Sequence, residues 1–142
     1  MNVLRKIGVV LVILIVLRAI AAFIWPTIND VKTGATPEYA DLNPQSFGGA
    51  PERVFAEALA VAQGLGWEVT SQDAASGEIQ AVATTKTFRF KDDVTVTVGR
   101  EAGGSVVNVR SRSRIGKGDL GANARRIRLF QAELAKRLAA SP

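Results

Sequence analysis

The sequence predicts an α+β protein: an N-terminal transmembrane helix followed by a two-layer domain, helix–four antiparallel strands–helix, with both helices on one sheet face. Three observations predict it. Residues 7–25 read IGVVLVILIVLRAIAAFIW, nineteen residues with a single charge. Two later segments, 51–65 and 124–138, repeat apolar residues at helical spacing. Between them, runs of apolar residues alternate with polar ones, as half-buried strands do.

The first element is a membrane anchor, residues 1–26. As a helix, residues 7–25 are about 28 Å long, against a hydrocarbon core of about 30 Å. Arg5 and Lys6 precede the run, whereas Asp30, Glu38 and Asp41 follow it with only Lys32 nearby. By the positive-inside rule the N-terminus is cytoplasmic and the remainder lies outside. Trp25 suits the outer interface, and Pro26 ends the helix. Arg18 snorkels toward headgroups on its long stem. A cleaved signal peptide, leaving a secreted periplasmic protein, is the competing reading, since Ala19-Ile20-Ala21 has the small-x-small pattern. Arg18 beside that site and the apolar Phe23-Ile24-Trp25 beyond it argue for retention.

Residues 27–49 contain Pro37, Pro44, Gly34, Gly48 and Gly49 and no sustained period, which predicts an extended tether running over the surface. Ile28, Val31, Tyr39, Leu42 and Phe47 are its points for docking. The domain itself spans 50–142. Its first helix, Pro51 to Leu65, carries Val54, Phe55, Ala58, Leu59, Ala62 and Leu65, with Pro51 in the first turn and Gly66 just past the end. Strands follow at Trp67–Thr70, Glu78–Phe88, Val94–Val98 and Val106–Ile115, the last pair joined by a turn at Ala102-Gly103-Gly104. Asp119 caps the final helix, whose apolar line is Ala124, Ile127, Phe130, Leu134 and Leu138.

Composition excludes whole classes of chemistry. The chain has no cysteine and no histidine. Disulfides, thiolate ligands and thiol nucleophiles are absent, as are the commonest general base and metal ligand. No metal or cofactor is expected. The net charge of +5 is unevenly spread: residues 1–26 carry +3, residues 27–109 carry −5 and residues 110–142 carry +7. Anionic partners for the basic C-terminal part are therefore expected.

That part opens with the candidate site. Along the fourth strand, Val107, Val109, Ser111 and Ser113 share one side, and Asn108, Arg110, Arg112 and Arg114 the other, because the side-chain period is two. Thr84, Lys86, Thr95 and Thr97 extend the polar side. Arg110, Arg112 and Arg114 are candidate contacts for phosphate or carboxylate, flanked by Lys117 and Arg126. Gly116, Gly118, Asp119, Gly121 and Asn123 order the turn and helix start beside them. A solvated strand kept from aggregating by its charges is the alternative reading. Export and the lack of interleaved aromatics argue against nucleic acid. The bilayer around residues 7–25, an anionic lipid headgroup or an acidic envelope protein are the expected partners.

Gly116-Lys-Gly-Asp-Leu-Gly121 matches G-x-G-x-x-G, but no second parallel strand follows, so the glycines are read as a tight strand-to-helix turn. Asp92 and Asp93 point to opposite sides if extended. One of them is expected to pair with Lys91 or with an arginine of the fourth strand. Phe88 and Phe90 are expected to cap the core, with a membrane-touching tip as the alternative. A small hydrolase or lyase would have to work with Asp92, Asp93 or Asp119, without histidine or cysteine. A purely structural envelope-assembly module is a further reading.

Several blocks together resemble a known family. Asn29-Asp-Val31, Val54-Phe-Ala-Glu-Ala-Leu59, Gly66-Trp-Glu68, Ala83-Thr-Thr85, Phe90-Lys-Asp-Asp-Val94, Val109-Arg-Ser-Arg-Ser-Arg114 and Gly116 through Ile127 are similar to the bacterial domain-of-unknown-function 1499 family. The resemblance covers about residues 29–138. It implies an envelope-associated protein, often with N-terminal membrane segments, and no established activity; the exported domain is then expected on the periplasmic side of a bacterial inner membrane. It assigns no catalytic residue, so the expectation is a non-enzymatic anchored module that binds an anionic ligand or an envelope protein.

Overall fold

The computed structural model describes residues 3–140. Residues 1–2 of the expected anchor and 141–142 of the expected domain lie outside the described residues. Helix α1 (Val3–Ile24) is uninterrupted, and none of its 22 residues is buried by the rest of the chain. At 1.5 Å per residue it is about 33 Å long, enough to cross a bilayer by length and composition. It closes where the Trp25 N–H donates to the Ala21 carbonyl at 2.9 Å and Pro26 has no N–H to continue.

The domain has two layers. Helix α2 (Pro51–Gly64) and helix α3 (Ala122–Ala140) pack on each other and on one face of an antiparallel sheet. The sheet contains β1 (Asp30–Lys32), β2 (Gln45–Phe47), β3 (Glu68–Asp73), β4 (Glu78–Thr84), β5 (Lys91–Glu101) and β6 (Gly104–Ser113). β3 to β6 form the expected meander. The core lies between helices and sheet. Val54, Phe55, Ala58 and Ala62 from α2 and Ala124, Ile127, Phe130 and Leu134 from α3 meet Ile79, Ala81, Val94, Val96, Val98, Val107 and Val109. Trp67 stacks on Phe130 with ring centroids 5.4 Å apart.

Six strands replace the expected four, because the supposed tether joins the sheet. β1 and β2 lie end to end along the outer edge of β6, Asp30 opposite Arg112 and Phe47 opposite Ser105. A short 3₁₀ turn, Pro37–Tyr39, lies between them. Val31, Tyr39 and Leu42 are buried in the main core. Two three-residue strands interrupted by glycine and proline are too short to show an alternation, so the sequence pattern concealed them. The approach of β2 is tight: a Cβ on Gly104 would lie 2.0 Å from the Phe47 carbonyl oxygen.

Two strand boundaries also differ. β4 stops at Thr84, since the Thr85 N–H and the Phe90 carbonyl bond at 2.8 Å and the Phe90 N–H donates to Thr85 Oγ1 at 2.9 Å. Residues 85–90 thus close into a turn, which takes Lys86 off the polar sheet face. Phe88 and Phe90 do not cap the core. They stack on each other at 5.6 Å and face solvent. β6 ends at Ser113, leaving Arg114 and Ile115 in the turn to α3.

That turn ends as expected. Asp119 accepts the Gly121 N–H at 2.8 Å and the Asn123 N–H at 2.9 Å, one on each carboxylate oxygen. Asp119→Ala should therefore lower stability by about 1 kcal/mol, as loss of a helix N-cap does, read from the shift in thermal unfolding.

Candidate functional site: the arginine strand and the two ends of the sheet

The period of two puts Arg110 and Arg112 on the sheet face away from the helices, and Arg114, one residue past β6, reaches the same face through Asp93; all three are exposed. The flanking strands put acids on the same face. Arg112 sits directly between Asp30 of β1 and Asp93 of β5. Neither carboxylate takes Arg112. Asp30 is held by Arg110 through two bonds of 2.9 and 2.5 Å, and Asp93 by Arg114 through bonds of 2.7 to 3.1 Å. The Arg112 side chain makes no hydrogen bond or ion pair among the described residues. It feels both carboxylates only through space.

Hydrogen bonds from these guanidiniums hold the Asp30 and Asp93 carboxyls below their usual range, against the opposing effect of partial burial. Arg110 and Arg114 are raised in turn, first by the same hydrogen bonds. The stability contributed by these pairs is present above the ordinary carboxylate pKa and is lost as pH falls through the depressed values. Both pairs are exposed, so they orient side chains more than they stabilise the fold.

The remaining site residues separate. Lys117 is exposed in the turn beyond β6 and forms no ion pair among the described residues. Gly116 and Gly121 have positive φ, 85° and 76°, the conformation that a tight turn asks of glycine. Arg126 does not flank the stripe. It lies on the opposite sheet face, its side chain 12% exposed and 2.6 Å from the buried Asp92.

Asn123 is likewise buried. Its side-chain oxygen accepts from Ser111 Oγ at 2.7 Å and from Arg126 at 2.8 Å, and its Nδ2 donates to Ser113 Oγ at 2.8 Å. Asp92, Arg126, Asn123, Ser111 and Ser113 therefore form a polar cluster inside the layer interface. The sequence carried a signal for it. Asp92 is in phase with Val94, Val96 and Val98, so an acid at an inward position needed a buried cation.

The three carboxylates that the sequence offered for catalysis are thus engaged: Asp92 by Arg126, Asp93 by Arg114, and Asp119 by two backbone N–H groups. Asp93, as expected, pairs with an arginine that follows the fourth strand of the meander.

The end of α1 is also built into the turn. The Asp119 N–H donates to the Ile28 carbonyl at 3.1 Å, and Asn29 Nδ2 donates to the Gly116 carbonyl at 2.5 Å. Trp25 lies so close to Gly121 that a Cβ there would sit 2.6 Å from its ring. The Arg114 N–H donates to the Lys91 carbonyl at 3.3 Å, which sets the 85–90 turn beside the 114–121 turn.

Fold and site define a class: an N-terminal apolar helix carrying an α+β domain with a one-sided core and an open, charge-laced sheet face. The sequence profile described as protein of unknown function (DUF1499) matches residues 22–134, and the chain belongs to this family. No curated protein shows a significant sequence match. Among solved structures, protein CV1439 from Chromobacterium violaceum is similar at 16% identity and a TM-score of 0.45, over 79% of this chain and 95% of that one. TTHA0849 from Thermus thermophilus is similar at 15% identity and a TM-score of 0.43, over 80% and 99%. Ara h 8.0201 follows at 10% identity and 0.40, over 78% and 97%.

Proposed function

We propose that the protein is a non-enzymatic, single-pass membrane-anchored module whose domain lies on the periplasmic side and binds an acidic segment of an envelope protein on its open sheet face. The observation that carries this reading is Arg112, an exposed guanidinium with no partner among the described residues, held between two arginines that Asp30 and Asp93 fix in place. A guanidinium fork recognises a carboxylate in two bonds at once, and pre-oriented neighbours reduce the entropy lost on binding. The stripe runs along β6 rather than across the end of the sheet, with successive arginines about 7 Å apart, a spacing suited to an extended acidic segment. None of Asp92, Asp93 and Asp119, the carboxylates on which a hydrolase or lyase reading rests, is left unengaged.

The test is co-purification of the full-length protein from native membranes, comparing the wild type with Arg112→Ala and, as a control at the far end of the sheet, Arg100→Ala. Arg112→Ala should lose a partner that Arg100→Ala retains. Stability should change by no more than about 0.5 kcal/mol, since the side chain is exposed and unpaired. Recovery of the same partners by all three proteins would sink the proposal.

A further inference from the structure

We infer that the end of the domain next to α1 docks on the same bilayer, inserting apolar side chains at the headgroup boundary and meeting anionic lipid with basic ones. The inference rests on α1 being a membrane span. The hydrogen bonds to Ile28 and Asn29 tie the 114–121 turn to the first residues past α1, and the 85–90 turn lies beside it. These two turns therefore face the membrane from which α1 emerges.

Their composition is unlike the rest of the surface. Outside α1, the exposed large apolar side chains among the described residues are Phe88, Phe90, Ile115, Leu120 and Leu129. Four of those five lie on the two turns, and Phe88 is 72% exposed. Scattered exposed apolar residues are ordinary, but their concentration at one end is the signature of an interaction surface. The same turns carry Lys86, Arg89 and Lys117, all exposed and without ion pairs among the described residues. Their one acid, Asp119, has both oxygens engaged in the helix cap. At the opposite end, the turns at 74–77 and 102–103 hold small residues, flanked by Asp73, Glu78 and Glu101, while Arg100 there is paired with Glu52. The domain is thus polarised along the sheet, basic and apolar toward α1, acidic away from it.

The backbone supports this direction. Arg89 and Leu120 are the non-glycine residues with positive φ among those described, 57° and 51°, one on each turn. Each holds a costly conformation while its side chain projects outward. Aromatic and aliphatic groups at the boundary, with lysine and arginine among the headgroups, are the physical basis of interfacial membrane binding.

Because the chain has no cysteine, one introduced thiol reports from one place. Full-length Val12→Cys, Thr87→Cys and Ala102→Cys proteins, each carrying a fluorophore, would be reconstituted in phosphatidylcholine vesicles with and without phosphatidylglycerol. Nitroxide-bearing acyl chains then quench only a probe near the hydrocarbon. Positions 12 and 87 should lose most of their emission and position 102 should keep it. Adding Lys86→Gln, Arg89→Gln and Lys117→Gln to the Thr87→Cys protein should reduce quenching in the anionic vesicles to the level seen in phosphatidylcholine alone. If position 12 is quenched while 87 stays as bright as 102, the docking inference is overturned and the anchor stands. If position 12 is not quenched, the anchor reading fails and takes the docking with it. Equal quenching at 87 and 102 would overturn the end-on geometry, and undiminished quenching in the triple variant would overturn recognition of anionic lipid.

Discussion

Replacing Arg126 by leucine is expected to destabilise the domain by about 3–5 kcal/mol, because it leaves the buried Asp92 carboxylate without its cation. Asp92 is only 3% exposed, so water cannot take over the lost bond. Asn123 and Ser111 each lose a donor at the same time, at 2.8 and 2.9 Å. The double variant Asp92→Leu with Arg126→Met should recover much of the loss, since removing both charges also removes the cost of burying them. Urea unfolding of the full-length protein in detergent, followed by circular dichroism, measures both. A single variant within about 1 kcal/mol of wild type would mean that the cluster is better hydrated than its burial indicates.

The second large effect is expected at Phe130. Its side chain is fully buried and stacks on Trp67. Phe130→Ala should cost about 3–5 kcal/mol, combining lost apolar burial with the cavity left behind. The ring sits on the stripe through which α3 holds the sheet, between Ile127 and Leu134. A loss below about 1.5 kcal/mol in the same unfolding experiment would show that α2 and β3 close over the gap, since the cavity cost depends on how far a site can collapse.

The helices and the inward strand faces were legible in the sequence because burial on one side imposes a period, 3.6 in α2 and α3 and two in β4, β5 and β6. The cap at Asp119 was legible for a similar local reason: its partners are the N–H groups of Gly121 and Asn123. β1 and β2 were not legible. Three residues give no period, and their pairing with β6 spans more than fifty residues of chain. Phe88 and Phe90 misled because aromatic residues usually lie inside, whereas the Thr85–Phe90 bonds turn this hairpin outward.

The charge distribution illustrates the division best. Read along the chain, an acidic middle and a basic C-terminal part suggested a surface waiting for an anion. Folded, Arg110, Arg114, Arg126, Arg128 and Arg137 take Asp30, Asp93, Asp92, Asp41 and Glu57 from that acidic middle. Most of the asymmetry is therefore internal complementarity between segments far apart in sequence. The sequence by itself determined the apolar span, the two amphipathic helices and the faces on which the residues of β4, β5 and β6 lie, since these follow from local periodicity. Which arginine of the stripe keeps its charge free, and that the exposed phenylalanines gather beside the end of α1, were decided by tertiary structure alone. Both depend on strand register and chain reversal, which bring distant residues within bonding distance and have no local signature.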